Sequence, residues 1–496
     1  MWPGTWRKAL AALSPLPCAA ARLAKWLSCP AGKRDTIFAL SSGHGKCGVA
    51  VIRTSGPASG AALRSLTGQQ DLPRPRAVTL QRIHDPSSAE TLDRGLVIWF
   101  PGPHSFTGED CAELHVHGGP AVVSGVLQAL GRLPGLRPAD PGEFTKRAFQ
   151  NGKLGLTEVE GLGDLIHAET EAQRRQALRQ MEGELAQLYQ RWSEELTKAL
   201  AHVEAFIDFS EEDNLEEGVL AQVDAAVQML EEELKGHLLD GRRGERLRGG
   251  VHVVIAGPTN AGKSSLLNLL CQRPAAIVSP VAGTTRDVVE SALNVGGYPV
   301  VLSDTAGLRE AQDAVEREGV SRARERLQRA DLVLAVLPAV DVAPEPGHLA
   351  DALRAVLPPG APAPYILVLN KADLLEGGCR GALLGACEEA ALSPACLLSC
   401  KTGEGLDSLL SLLGVQLEQL CGDPLAGSPS LTQARHRLHL TSCLGSLSRY
   451  HGYKALDLVL AAEELRLARR YLGKITGRVS AEEILDIIFR DFCVGK

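Results

Sequence analysis

The stretch GPTNAGKS, residues 257–264, decides the fold at the centre of this chain of 496 residues. It follows the apolar run VHVVIA and precedes SLLNLL, so a buried strand, a glycine-containing loop and a helix come in succession. In a loop of this spacing, backbone N–H groups and the helix N-terminus surround a phosphate group. Lys263 would reach the β- and γ-phosphate oxygens, and Ser264 would ligate Mg²⁺. The stretch therefore predicts a nucleotide-binding α/β domain.

The segment VVLSDTAG places Asp304 at the end of another buried strand, where a carboxylate can hold Mg²⁺ while the N–H of Gly307 meets the γ-phosphate. Residue 308 is Leu, whereas several GTPases have there a Gln that orients the attacking water. No arginine finger is identifiable from the sequence, so a monovalent cation could neutralise charge between the phosphates. Asn260 and SPVAGTTRD, residues 279–287, could supply its oxygen ligands, although Asn260 considered alone is more often just a loop residue.

Two further motifs concern the base. NKAD follows the strand YILVLN, so Asn370 and Asp373 can form hydrogen bonds with the base of the nucleotide. A carboxylate accepts hydrogen bonds from N1–H and the 2-amino group of guanine, and adenine would leave it unpaired. SCKTGEG, residues 399–405, resembles the fifth motif of GTPases with Cys400 in place of the usual Ala. Little change is expected, because that position typically acts through its backbone N–H. The four motifs, in this order, predict GTP as the nucleotide.

The chain divides into segments of different pattern. Strand-like runs separated by Gly/Pro turns continue from Thr36 to about residue 151 and predict an α+β domain. Helical spacing begins at Lys153 and returns after the linker CGDPLAGSPS. Because neither helical half is expected to bury its apolar face alone, one helical domain interrupted by an inserted α/β domain is predicted. The predicted bounds are 1–34 for a transit peptide, 35–152 for the N-terminal domain, 153–249 and 421–496 for the helical domain, and 250–420 for the GTPase domain.

The first 34 residues are basic, contain Ser and Ala, and have no acid before Asp35. Their apolar residues can form helix faces opposite the basic ones, which favours a mitochondrial transit peptide over a disordered basic arm. Without the six basic residues of this segment, 46 basic residues remain against 59 acidic ones, a charge of about −13, which argues against general polyanion binding. No stretch approaches the roughly 18 apolar residues of a membrane span.

The 12 cysteines show no repeated metal spacing and are interpreted as reduced thiols. His115 and His117 alternate as strand residues do, so they face one side and could bind a metal. Ordinary strand histidines are favoured, because no third ligand is apparent.

The sequence resembles the MnmE/TrmE family of tRNA-modification GTPases, in particular its mitochondrial member. The resemblance covers residues 35–496 and is carried by DTIFAL, SFTGED, PGEFTKRAF, NGKL, the nucleotide motifs, AGTTRD and the terminal FCVGK. It implies a multidomain α/β protein with an N-terminal α+β folate-binding-like domain, a discontinuous helical domain and an inserted Ras-like P-loop GTPase domain.

The resemblance also implies a function. The family forms homodimers and acts with an FAD-dependent partner of the MnmG/GidA type on C5 of the wobble uridine of tRNA. A 5-formyl- or 5,10-methylene-tetrahydrofolate supplies the one-carbon unit, and in animal mitochondria the amine is expected to be taurine. The expected location is the mitochondrial matrix. The alternative is a GTPase switch in mitochondrial ribosome assembly, with no chemistry on a base.

The resemblance assigns site residues by motif. The GTP-binding positions are Asn260, Ala261, Gly262, Lys263, Ser264, Ser265, Ser279, Thr284, Thr285, Asp304, Thr305, Ala306, Gly307, Asn370, Lys371, Asp373, Ser399, Cys400 and Lys401. Mg²⁺ would be held by Ser264 and Thr285, and K⁺ by Asn260, Ser279, Val281 and Thr284. Glu316 would position the hydrolytic water; without the resemblance, a solvated helix-face acid would be preferred.

Folate would contact Arg53, Glu113, Lys153 and Lys496. Arginine or lysine can pair with its carboxylates, and Glu113 can accept from pterin N–H groups. Cys493 in the terminal FCVGK could act there as a nucleophile or an acid, or the tail could be a hydrophobic plug.

A basic helix face is a candidate tRNA contact, and an ordinary solvated face is about equally supported. Its residues are Arg466, Arg469, Arg470, Lys474 and Arg478.

Overall fold

The computed structural model describes residues 35–496 except 210–217, 240–241, 273–289, 305–325, 343–348, 358–362, 377–378, 393, 428, 479–487, 490–491, 493–494 and 496. The chain forms two compact units. The first unit comprises Met1–Val159 and Ser480–Lys496, and the second comprises Glu160–Val479. The domain bounds given above stay a prediction.

The first unit is built on a six-stranded sheet in the order β3-β4-β5-β2-β1-β6. Its elements are β1 (Thr36–Leu40), β2 (Cys47–Ser55), α1 (Ser59–Thr67), β3 (Thr79–His84), β4 (Thr91–Phe100), β5 (Cys111–Gly118), α2 (Pro120–Arg132), β6 (Leu136–Pro138) and α3 (Glu143–Gln150). Alternating strand residues such as Ile52, Val97 and Leu114 are buried and form one core with Leu63 of α1 and Leu130 of α2. The predicted α+β domain is therefore confirmed.

The other face of this sheet carries apolar side chains that remain exposed. Val49, Leu80 and Leu96 are 59%, 54% and 40% exposed. Leu80 lies opposite Leu96, and Leu96 lies opposite His115. Val49 lies opposite His117, so Leu80 and Leu96 form an exposed apolar pair, and such a pair on a sheet face can be part of an interaction surface.

The C-terminal tail packs within the first unit. The side-chain oxygen of Ser41 donates to the carbonyl oxygen of Gly495 at 2.8 Å. Gly495 has φ +97, and a Cβ there would overlap the backbone carbonyl oxygen of Leu40, so the contact requires glycine. The ring of Phe489 lies 6.4 Å from the ring of Phe149, measured between centroids. The glycine of FCVGK therefore has a structural role at the end of β1.

The second unit combines an α/β sheet with a helical bundle. The sheet order is β12-β11-β10-β7-β9-β8, with only β8 antiparallel to its neighbour among the described strands. The elements of the α/β part are β7 (Val251–Ala256), α9 (Lys263–Cys271), β8 (Glu290–Val295), β9 (Tyr298–Asp304), β10 (Leu332–Pro338), α10 (Ala339–Val342), α11 (Leu349–Val356), β11 (Tyr365–Asn370), α12 (Cys379–Glu389), β12 (Ala395–Leu397) and α13 (Leu406–Cys421). The central strand β10 is apolar and buried at every position, because helices cover both faces of such a sheet.

Helices precede and follow this sheet in sequence. They are α4 (Leu156–His167, which begins in the first unit), α5 (Glu171–Met181), α6 (Glu184–Phe209), α7 (Gly218–Leu238), α8 (Arg243–Gly249), α14 (Ala434–Tyr453) and α15 (Leu458–Ile475). Helices α6 and α7 share one core with α14 and α15, whereas Ala172 of α5 and Leu247 of α8 pack in the core of the sheet. Leu196 and Val227 from before the sheet are buried with Leu447 and Leu465 from after it. The discontinuous helical domain is confirmed, because each half supplies part of the apolar contact that the other needs. Within the described part of the chain, no helix has both the length and the apolar character needed to cross a bilayer.

Candidate nucleotide site and comparison with known proteins

The phosphate-binding loop joins β7 to α9 as predicted. Gly262 precedes α9 with φ +96, and a Cβ at this position would overlap the side-chain nitrogen of Asn370. The ammonium group of Lys263 donates to the carbonyl oxygens of Gly257 at 2.9 Å and Pro258 at 2.8 Å. Lys263 is therefore held over its own loop, where phosphate oxygens can replace these carbonyl acceptors.

Asn370 connects the phosphate loop to the base-reading side of the site. Its side-chain nitrogen donates to the carbonyl oxygen of Ala261 at 2.8 Å, and its side-chain oxygen accepts from the backbone N–H of Cys400 at 3.2 Å. The residue is only 2% exposed, so both bonds are shielded from water. Asn370 thus fixes the spacing between the loops that would hold the two ends of a nucleotide.

Asp373 is oriented by the loop after β12. The hydroxyl of Ser399 donates to Oδ1 of Asp373 at 2.7 Å and accepts from the N–H of Thr402 at 3.2 Å. A carboxylate fixed in this way offers acceptor positions for the N1–H and 2-amino donors of guanine. Burial raises the pKa of the neighbouring Cys400 thiol. The thiol therefore stays protonated near neutral pH and adds no negative charge beside Asp373.

The structure brings together the predicted residues on the base side and on the phosphate loop. Those at the carboxyl ends of β7 and β11 and after β12 are Asn260, Ala261, Gly262, Lys263, Ser264, Ser265, Asn370, Lys371, Asp373, Ser399, Cys400 and Lys401. The backbone of Asp304 ends β9, in register with Ile255 of β7. The predicted positions Ser279, Val281, Thr284, Thr285, Thr305, Ala306, Gly307 and Glu316 lie outside the described residues.

The predicted folate residues lie in the first unit. Arg53 of β2 is directly opposite Glu113 of β5, and its Nε and Nη2 donate to Oε1 of Glu113 at 3.1 and 2.9 Å. The Arg53 guanidinium lies 5.5 Å from the centroid of the Phe106 ring, and Lys153 donates to the carbonyl oxygen of Pro103 at 3.1 Å. Arg53 and Lys153 therefore both contact the loop that contains SFTGED. Cys493 and Lys496 lie outside the described residues.

His115 and His117 each pair with a different carboxylate. Nε2 of His115 lies 3.1 Å from Glu113, and Nδ1 of His117 lies 2.9 Å from Asp93. Across the described residues, no group of three or more His, Cys, Asp or Glu side chains could hold a metal ion.

Arg147, a buried arginine of α3, was not predicted as a functional or structural residue from the sequence. Arg147 donates to Glu109 at 2.9 Å, to Glu143 at 3.0 Å and to the carbonyl oxygen of Asp35 at 3.0 Å. Its side chain is 8% exposed. The charged residues of this network come from two of the family motifs, SFTGED and PGEFTKRAF. These motifs therefore contribute a buried ion-pair network to the first unit. A lone arginine in an amphipathic helix gives no sequence signal of such a role.

Comparisons with known proteins agree with this arrangement. The family model described as "GTP-binding protein TrmE N-terminus" matches residues 36–153, and the one described as "MnmE helical domain" matches residues 156–493, more than half of the chain. A protein of Danio rerio named "5-taurinomethyluridine-[tRNA] synthase subunit GTPB3, mitochondrial" is 62% identical over 468 residues, covering 93% of each chain. The Homo sapiens protein of the same name is 60% identical over 504 residues and covers 100% of both.

A bacterial relative extends the comparison. The "tRNA modification GTPase MnmE" of Parvibaculum lavamentivorans (strain DS-1 / DSM 13023 / NCIMB 13966) is 51% identical over 467 residues, covering 93% of this chain and 100% of the relative. The mitochondrial location predicted from the sequence is confirmed by the animal relatives. The chain therefore belongs to the MnmE/TrmE family and is a GTP-hydrolysing member of it.

Proposed function

We propose that the protein hydrolyses GTP to drive addition of an aminomethyl-type group, in animals a taurinomethyl group, to C5 of the wobble uridine of mitochondrial tRNA. The observation that carries this is the Asn370 bridge, which joins a phosphate loop to a guanine-reading carboxylate within one site. The relatives' names supply the reaction class. Hydrolysis of GTP at this site would then be coupled to the modification.

Removing the protein from cells tests this function. The wobble uridines of mitochondrial tRNA should lose the modification, and the wild-type chain should restore it, as measured by mass spectrometry of tRNA digests. Normal wobble uridines together with defective ribosomal subunits would favour the switch in ribosome assembly instead.

The proposed cation sites combine oxygen ligands, which suit Mg²⁺ and K⁺. Ser264 would hold Mg²⁺ with Thr285, and Asn260 would hold K⁺ with Ser279, Val281 and Thr284. Asn260 is exposed at the phosphate loop with φ +61, which fits a side chain directed by its backbone toward a ligand. K⁺ would supply positive charge between the phosphates, and Glu316 would position the attacking water.

Replacing K⁺ with Na⁺ should slow GTP hydrolysis by at least about tenfold, because a smaller ion fits the same oxygen ligands poorly and stabilises transition-state charge less. Phosphate release measured at equal ionic strength in KCl and NaCl checks this, with nucleotide affinity as the control. Equal rates in the two salts would refute the cation site.

Folate binding is proposed at Arg53 and Glu113, with Lys153 and Lys496. The ion pair in the structure keeps the arginine extended beside Phe106, and a folate carboxylate would compete with Glu113 for it. Phe492 and Gly495 are both buried in the same unit, while Cys493 lies outside the described residues and is assigned to this site by the motif alone. Cys493 would then act as a nucleophile or an acid on the one-carbon donor.

Replacing Arg53 with Ala should weaken binding of 5-formyl-tetrahydrofolate by at least about tenfold, since a charge-assisted pair is lost. GTP affinity should not change. Calorimetry with both ligands measures this, and the exposed Arg64→Ala of the same unit is the matched control. Folate affinity equal to that of the wild type would remove Arg53 from the site.

The proposed assembly is a homodimer that acts with an FAD-dependent partner of the MnmG/GidA type. The exposed apolar side chains of Leu80 and Leu96, with Val49 on the same face, support a dimer contact through the first unit. The relatives' name "subunit" supports a larger complex.

The basic face of α15 supports a tRNA contact only in part. Arg466 already pairs with Glu204 at 2.8 Å and with Glu463 at 3.0 Å. Arg469, Arg470 and Arg478 are exposed, and the ammonium group of Lys474 lies 5.5 Å from the Tyr471 ring centroid. The proposed contact is therefore the C-terminal half of α15 together with Arg478, which follows the helix.

A further inference from the structure

A partly enclosed cavity of about 260 Å³ lies within the second unit, apart from the nucleotide loops. It is lined by residues at the end of α4, along α5 and in α8, together with Thr432. Ala177 and Leu247, each 2% exposed, make part of its wall apolar. A small concave site of mixed apolar and polar lining can hold one planar ring of a ligand.

Gln176 is a buried amide without a hydrogen-bond partner in the part of the chain that the structure describes. It lines the cavity and is only 5% exposed. The next glutamines on the same helix are both bonded: Gln173 donates to the carbonyl oxygen of Arg248 at 3.2 Å, and Gln180 accepts from Thr432 at 2.7 Å. The amide of Gln176 is not among the fully buried unpaired polar groups, so it is open to the cavity, where its donor and acceptor are available to a ligand.

The cavity lining also carries an ion pair. Nε of Arg248 donates to Oδ1 of Asp164 at 2.6 Å. Burial raises the pKa of Asp164, although Arg248 opposes this effect. The Arg248 side chain is 47% exposed, whereas Arg174 and Arg175 of α5 are both paired with Glu171. A neutral group would suit the apolar wall, and the exposed guanidinium of Arg248 could contact an anionic group attached to it.

We propose that this cavity binds a pyrimidine base turned out of a nucleic acid. A glutamine amide carries one acceptor and a donor group side by side, which complement the N3–H and the adjacent carbonyl oxygen of uracil. Bases that undergo chemistry are extruded into pockets and read along this edge. The inference rests on the proposed function, under which the base is the wobble uridine and Arg248 lies beside its phosphates.

The test uses the full-length chain and a fluorescent anticodon stem–loop RNA with uridine or 3-methyluridine at the wobble position. The methyl group removes the N3–H donor, so the wild-type chain should bind the uridine RNA about tenfold more tightly. Gln176→Leu should bind both RNAs equally, at the weaker level. Gln187→Leu, the same change at an exposed position of α6, should behave as the wild type. Fluorescence anisotropy gives the dissociation constants.

Discrimination that survives in Gln176→Leu would overturn the proposal, and so would its absence from the wild type. A second readout does not depend on the variant. An RNA with 4-thiouridine at the wobble position should crosslink to peptides of α4, α5 or α8 of the wild-type chain. Crosslinks confined to other segments would also overturn the proposal. GTP hydrolysis by Gln176→Leu should match the wild type, which checks its folding.

A cell experiment separates this inference from the function beneath it. If cells lacking the protein lose the modification and Gln176→Leu restores it fully, the cavity proposal fails while the proposed function stands. If those cells keep the modification, the proposed function itself fails.

Discussion

An Asp373→Asn variant should bind xanthine nucleotides in preference to guanine nucleotides. Ser399 donates to Oδ1 of Asp373, so an asparagine that keeps its oxygen toward Ser399 would direct its NH₂ group at the base. That group repels the N1–H and 2-amino donors of guanine but can donate to the 2-oxo group of xanthine. A site built around specific hydrogen bonds discriminates strongly, so GTP affinity should fall by at least about 10³-fold.

Fluorescent GDP and XDP analogues measure this change in equilibrium titrations. Asp351→Asn is a suitable control, because Asp351 lies on the exposed surface of α11 in the same domain. Its preference should remain that of the wild type. Unaltered guanine selectivity in Asp373→Asn would refute the assignment of base reading to this residue.

Replacing Arg147 with Met should destabilise the first unit by about 3–5 kcal/mol. Methionine preserves much of the side-chain volume but removes the guanidinium shared by Glu109 and Glu143. Glu143 keeps its ion pair with Arg137, so the larger loss falls on Glu109. The Glu109 carboxylate keeps the hydroxyl donor of Ser55. Breaking a buried ion pair by removing one member costs this much, because the remaining charge stays desolvated. Nucleotide affinity should be retained, since Arg147 belongs to the unit that lacks the phosphate loop.

Calorimetric unfolding of the full-length chain, followed by urea titration, measures the loss. Arg64→Met, at an exposed position of α1, should change stability by less than about 0.5 kcal/mol. Adding Glu109→Gln to Arg147→Met should recover part of the loss by removing a carboxylate charge that has lost its ion pair with Arg147. A wild-type transition in Arg147→Met would show that the carboxylates find solvent or other partners.

The sequence alone was sufficient to predict the parts of the nucleotide site whose residues lie in short contiguous motifs. The phosphate loop is one contiguous segment, and Asn370 and Asp373 follow a recognisable buried strand, so spacing predicts their positions. The interrupted helical domain was also predictable, because helical periodicity shows on both sides of the α/β region. The bond between Asn370 and the phosphate loop was not predicted, since it joins residues 109 positions apart.

The remaining contacts depend on register and tertiary packing. Arg53 and Glu113 were each predicted to bind folate, but their direct pairing follows from the alignment of β2 with β5. The sequence did not predict a role for Gln176 either, because a glutamine is ordinary in a helix. Its place in the cavity depends on how α8 and Thr432 pack around α5.

The contact between Ser41 and Gly495 joins residues 454 positions apart, which makes the order of synthesis important. Domains often begin to fold while the chain is still being made, starting from the N-terminal end. Here β1 can form its sheet early, but Phe489, Phe492 and Gly495 reach it only after the entire second unit has been synthesised. The first unit therefore completes its packing last, and a chain that terminates prematurely would expose apolar surface that quality-control proteases can recognise.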